Sequence, residues 1–131
     1  MSKVSECMSH TLYSTNPDTL AHVAMDDMSK NQVSSLLVKG EKDFEWIFTK
    51  TDWMLLVLKG ESDPKQLKVS DLMTRIVNSV DQDQTIAEAC SIIQEKKIRH
   101  LPVKKDGKII GMLSVKDIES YFMQLHQKTD F

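Results

Sequence analysis

The sequence predicts a mixed α+β fold in which one β-α-β-β-α unit occurs twice. Two observations carry that expectation. Slid against itself by 65 positions, the sequence superposes Val4-Ser5 on Val69-Ser70, Met8 on Met73, Ser14 on Ser79, Asp18 on Asp83 and Ala24 on Ala89. Further on, Leu36, Val38 and Lys39 meet Leu101, Val103 and Lys104, Asp52 meets Asp117, and Thr49 falls on Ser114. Matches gathered at the same landmarks with one fixed period mark an internal repeat. The second observation is apolar periodicity, which switches between helical and strand-like in the same order in both copies. The copies span residues 1–60 and 66–125, with a Gly- and Pro-punctuated linker at 61–65 and a tail at 126–131. A unit this small buries little core alone, so the copies are expected to pack face to face as one compact pair.

The elements follow in chain order. In the first copy Leu20, Val23, Ala24 and Met28 recur at helical spacing. Leu36-Leu37-Val38 and Phe44 to Phe48 read as strands, and Thr49-Lys50-Thr51-Asp52 opens a second helix. In the second copy Thr85-Ile86-Ala87-Glu88 is a capping box, in which the Thr hydroxyl caps the Glu amide and the Glu carboxylate reaches back. Ile86, Ala89, Cys90 and Ile93 form one face of the helix behind it. Ile98 to Val103 is a strand, Asp106-Gly107 carries the hairpin signal, and Ile109 to Leu113 returns. Ser114-Val115-Lys116-Asp117 then opens a last helix with Ile118, Tyr121, Phe122 and Leu125 on one face.

Composition excludes several classes of protein. The chain has 131 residues, 40% hydrophobic and 27% charged, the balance of one soluble domain rather than a disordered segment. Lys and Arg number 17 against 19 Asp and Glu, so the net charge of −2 offers no general pull on nucleic acid. The longest apolar run, Trp53 to Leu58, is far short of a membrane span. The N-terminus lacks the apolar stretch of a secretory leader, and Cys7 and Cys90 have no metal-binding spacing, so a reducing cytoplasm is expected.

Met73-Thr74, Ile98-Arg99-His100-Leu101-Pro102-Val103 and Gly111-Met112-Leu113-Ser114-Val115-Lys116-Asp117 resemble a cystathionine-β-synthase (CBS) domain. The duplication makes the chain similar to a tandem CBS pair over nearly its whole length. That resemblance implies two repeats related by pseudo-twofold symmetry and no catalysis. It also implies a regulatory role: binding an adenosine-containing ligand (AMP, ADP, ATP or S-adenosylmethionine) in clefts between the repeats, in a homodimer. No second domain is then left to regulate in cis, and a regulated partner protein stays open. The first copy is degenerate, with Leu37 where Pro102 stands and Trp46 where Gly111 stands.

The residues suit such a ligand. Ser114-x-x-Asp117 and Thr49-x-x-Asp52 lie where a strand hands over to a helix, whose N-terminus offers free amides to a phosphate. The hydroxyl can add a hydrogen bond, and the carboxylate can accept two from a ribose diol. The edge of the Arg99-His100-Leu101 strand could read adenine. The same spacing is also a plain helix cap. From the resemblance, the preferred cleft joins Ser114 and Asp117 to Ser9, Ser34 and Ser35. A second cleft joins Thr49 and Asp52 to Thr74, Ile76, Arg99 and His100. Trp46 could stack on a base, fill the vacant cleft of its copy or simply pack; filling is the expectation, because glycine at the equivalent place permits close approach. No catalytic group, metal ligand set or required cofactor is expected. The alternative is a ligand-free dimerisation or protein-interaction module, and the uninterrupted apolar run 53–58 is expected at a twofold interface.

Overall fold

The computed structural model describes residues 2–60 and 63–129. Residues 61 and 62 of the expected linker and 130 and 131 of the expected tail lie outside the described residues. The chain divides into two compact units.

One unit runs from Tyr13 to Ile76. It contains β1 (Ser14–Thr15), α1 (Ala21–Asn31), β2 (Ser35–Lys39), β3 (Phe44–Thr49), α2 (Lys50–Lys59), the short α3 (Val69–Leu72) and β4 (Thr74–Arg75). The strands form a sheet in the order β1-β2-β3-β4, parallel at the first pair and antiparallel thereafter. Its core gathers Ala21, Ala24 and Met28 from α1, Leu36 and Val38 from β2, Phe48 from β3 and Val69 from α3.

The other unit joins residues up to Leu12 with residues from Val77 onward. It contains β5 (Val80–Asp81), α4 (Ile86–Lys96), β6 (His100–Lys105), β7 (Lys108–Ser114) and α5 (Val115–Thr129), with the sheet order β5-β6-β7. Val4 and Met8 are buried with Val80, Ala89, Leu101, Val103 and Leu113. The duplication shows in detail: both hairpins slip register at the same place, between Val38 and Lys39 and between Val103 and Lys104. Asp106 and Gly107 take φ of 52° and 78°, as the Asp-Gly hairpin signal requires.

Compact unit and sequence repeat do not coincide. The segment that leads the first repeat packs on the body of the second. There the Val4 amide donates to Gln84 O at 2.8 Å, the Ile86 amide to Ser2 O at 3.0 Å and the Ser9 amide to Met112 O at 2.8 Å. The segment that leads the second repeat packs on the body of the first, the Ala21 amide donating to Leu67 O and the Val69 amide to Thr19 O, both at 2.8 Å. Burial drives the exchange, because Val4 and Val69 are each fully enclosed in the body they join. The compact units change at 12/13 and 76/77, whereas the repeats are expected over 1–60 and 66–125.

Three expectations are corrected. The apolar face of α1 is Ala21, Ala24 and Met28, whereas Leu20 and Val23 are exposed, because Leu20 precedes the helix and its backbone bridges to Lys68. Residues 126–129 of the expected tail continue α5. And α5, expected to gather Ile118, Tyr121, Phe122 and Leu125 on one face, leaves Phe122 and Leu125 of that face exposed, with Met123 beside them.

Candidate functional site

At the end of β7 the chain turns into α5 through a reciprocal cap. The Asp117 amide donates to Ser114 Oγ at 3.1 Å, and the Ser114 amide donates to Asp117 Oδ2 at 2.9 Å. The other unit repeats this, the Asp52 amide donating to Thr49 Oγ1 at 3.2 Å and the Thr49 amide to Asp52 Oδ2 at 2.9 Å. Capping is therefore realised at both corners, each cap stabilising its helix by about 0.5–2 kcal/mol.

The second carboxylate oxygen separates the two corners. Asp52 Oδ1 accepts a hydrogen bond from Thr74 Oγ1 at 3.2 Å. Asp117 Oδ1 accepts none among the described residues. It is the acceptor that a sugar hydroxyl would use.

Four of the expected residues lie in the unit of Asp117. His100 opens β6 directly opposite Ser114, and the Val115 amide donates to Arg99 O at 3.0 Å. Ser9 pairs with Met112 through two backbone hydrogen bonds, of 2.8 and 3.1 Å, along the outer edge of β7. Of the other expected residues, Thr74 reaches Asp52 directly, and Ile76 donates its amide to Glu45 O at 2.9 Å. Ser34 and Ser35 lie in the unit of Thr49 and Asp52: Ser34 O accepts from the Lys50 amide, and Ser35, only 7% exposed, stands opposite Thr49. Arg99 and His100, expected beside Thr49 and Asp52, lie in the unit of Ser114 and Asp117.

Two neighbours of Asp117 have shifted acidities. Burial, aided by Arg99 and opposed by the Asp117 carboxylate, pushes the His100 imidazole from 6.5 down to about 4, so it is neutral at pH 7. The unfolded chain then binds a proton that the folded chain refuses between pH 6.5 and about 4. Stability falls as the pH is lowered through that window, by roughly 1–2 kcal/mol after solvent screening. Urea midpoints at pH 7.5, 6 and 4.5 should show the slope, and His100→Asn should flatten it. Cys7 donates its thiol to Asp117 O at 3.4 Å, and burial, with the Asp117 and Cys90 charges, pushes it up to about 11. Cys7 thus stays a protonated thiol that ties the N-terminal segment to the first turn of α5.

Gly111 corrects the expectation about Trp46. A Cβ at Gly111 would collide with the Ser9 carbonyl oxygen and with Met8, so this glycine makes room for the chain's own N-terminal segment. Trp46 has no such vacancy to fill. It shares the core-facing side of β3 with Phe48 and packs on that unit's core, with the Arg75 guanidinium 5.1 Å from its ring centroid. Sequence reasoning missed Cys7 and Arg75, because both act through partners distant in sequence. It could have found Arg75, since the repeat places Trp46 and Arg75 at counterparts of Gly111 and His10.

Duplicated α/β bodies with capped corners at the strand-to-helix junctions are the architecture of CBS domains. The CBS domain family model matches residues 69–124. A solved CBS domain structure is 31% identical, with a TM-score of 0.85, over 94% of this chain and 99% of that one. The chain belongs to the CBS domain family. It is also similar to the mitochondrial CBS domain-containing protein CBSX3 of Arabidopsis thaliana, 29% identical over 122 residues, 89% of this chain. The chain spans about half the length of the curated relatives it matches, 59% in the case of CBSX3. In fold it resembles CBSX2, solved in complex with AMP, at 21% identity and a TM-score of 0.76, over 95% of this chain and 98% of that one.

Proposed function

We propose that this chain is a regulatory module that binds an adenosine-containing nucleotide at the Ser114–Asp117 corner and signals its occupancy to a partner protein. The observation that carries this reading is the open Asp117 Oδ1, a carboxylate oxygen without a hydrogen bond among the described residues at the head of a 15-residue helix. A ribose diol needs such an acceptor. Ser114 Oγ and the positive end of the α5 dipole suit a phosphate, and the exposed Arg99 guanidinium stands one residue before His100. The AMP held by CBSX2 supports the ligand class. The corner has no activated nucleophile and no acid–base pair, which favours binding over catalysis. No helix among the described residues is long and apolar enough to cross a membrane. A thermal-shift panel of AMP, ADP, ATP and S-adenosylmethionine tests the reading, since a ligand at 100 times its Kd raises stability by about 2.7 kcal/mol. No shift with any of them would favour the ligand-free interaction module.

The same proposal includes a homodimer. Met54, Leu55, Val57 and Leu58 of α2 are 51–78% exposed, and no residue of that helix is buried. A contiguous apolar surface of this kind marks a contact face, and a self-complementary pair closes it most simply. Leu55→Glu, at the outward-facing position, should yield monomers or insoluble protein. Light scattering that gives the unmodified chain a mass near 15 kDa at micromolar concentration would exclude the dimer.

A further inference from the structure

The two corners share one motif and differ in what already occupies it. At Asp117 one oxygen is open, and the neighbouring segment pairs with β7 only at Ser9. At Asp52 both oxygens are engaged, Oδ2 by the Thr49 amide and Oδ1 by the Thr74 hydroxyl. Thr74 belongs to a true strand there, with Thr74 opposite Ile47 and Arg75 opposite Trp46. Arg75 lies over the Trp46 ring and pairs with Glu45 at 3.9 Å, and the Ile76 amide donates to Glu45 O at 2.9 Å. These contacts brace β4 against β3 and hold the Thr74 hydroxyl on the carboxylate. The counterparts of Trp46 and Arg75 in the other unit, Gly111 and His10, build no such brace, and the His10 ring lies 3.2 Å from Ser5 O instead.

We propose that the chain's own Thr74 hydroxyl, held by the Arg75–Trp46–Glu45 brace, closes the Thr49–Asp52 corner, so that each chain takes one nucleotide and not two. The inference rests on the nucleotide-binding reading and gives it a stoichiometry. Thr74 stands in for a sugar hydroxyl, satisfying the acceptor that a ribose would need. Because Thr74 and Arg75 are exposed, changing them should leave the fold intact.

Calorimetric titration with AMP tests it in three proteins: the unmodified chain, Thr74→Val and the Thr74→Val/Arg75→Ala pair. One equivalent for the unmodified chain and a second binding event in the double variant, weaker or absent in Thr74→Val alone, is the expected result. Two equivalents in the unmodified chain would overturn closure and leave the nucleotide reading standing. So would a double variant that still takes only one. No heat with any of the three, repeated with ADP, ATP and S-adenosylmethionine, would defeat the nucleotide reading, and closure with it.

Discussion

If the proposed site binds AMP, Asp117→Ala should weaken that binding by about 10- to 150-fold, a loss of roughly 1.5–3 kcal/mol, the scale of a charge-assisted hydrogen bond to a half-buried acceptor. The expectation follows from geometry. Asp117 spends Oδ2 on the Ser114 amide and keeps Oδ1 open among the described residues, so removing the carboxylate deletes the one acceptor suited to a ribose. The cap is lost with it, so the variant should also melt earlier, and Asp117→Asn separates the two effects. Asn keeps an oxygen for the Ser114 amide but surrenders the charge, so it should restore most of the stability and little of the affinity. Calorimetry at fixed salt, alongside melting curves, reads both. Unchanged affinity in Asp117→Ala would move the ligand to another corner.

Gly111→Val should cost about 3 kcal/mol or more of stability. Any Cβ at this position meets the Ser9 carbonyl oxygen, which is backbone, and the Met8 side chain behind it. Met8 can give way; the backbone of Ser9 cannot without breaking its two hydrogen bonds to Met112. Overpacking of about 1–3 kcal/mol then adds to two lost hydrogen bonds of about 1 kcal/mol each. The higher β propensity of valine offsets only a fraction of this. Urea unfolding followed by circular dichroism measures the change, and a loss below 1 kcal/mol would mean that residues 8 and 9 shift freely. The variant also pushes Ser9 off the edge of β7, so ligand affinity should fall with stability.

What the sequence made legible was local. Thr85 and Glu88, Ser114 and Asp117, and Thr49 and Asp52 are partners three residues apart, and each forms the reciprocal cap that its spacing announces. The Asp106-Gly107 turn is equally local. Periodicity placed the strands to within a residue or two, yet it turned the face of α1, because Leu20 looked like the first apolar helix position when it is the residue before the helix. A repeat also reveals equivalence without pairing. Residues 2–9 fit the body of either copy by pattern, and only their contacts in the structure, such as Val4 and Met8 packed with Val80 and Leu101, show which one they join. The same blindness hid the partners of Arg75 and Cys7. The candidate corner was readable as a motif; the difference between the open Asp117 and the engaged Asp52 depends on Thr74, 22 residues away, and needed coordinates.

The exchange of leading segments sets an order in time. During synthesis the unit from Tyr13 to Ile76 holds its whole chain length as soon as Ile76 clears the ribosome, and it can close while the rest is still being made. Residues 2–12, made before that unit, find their partners only after it. Their places beside Gln84, Ile86 and Met112 exist only once Met112 has emerged. This segment thus docks after the unit that follows it in sequence, through contacts of large sequence separation, the slow kind. Until then Val4 and Met8 travel uncovered, so this segment needs protection while the residues that will bury it are still being made.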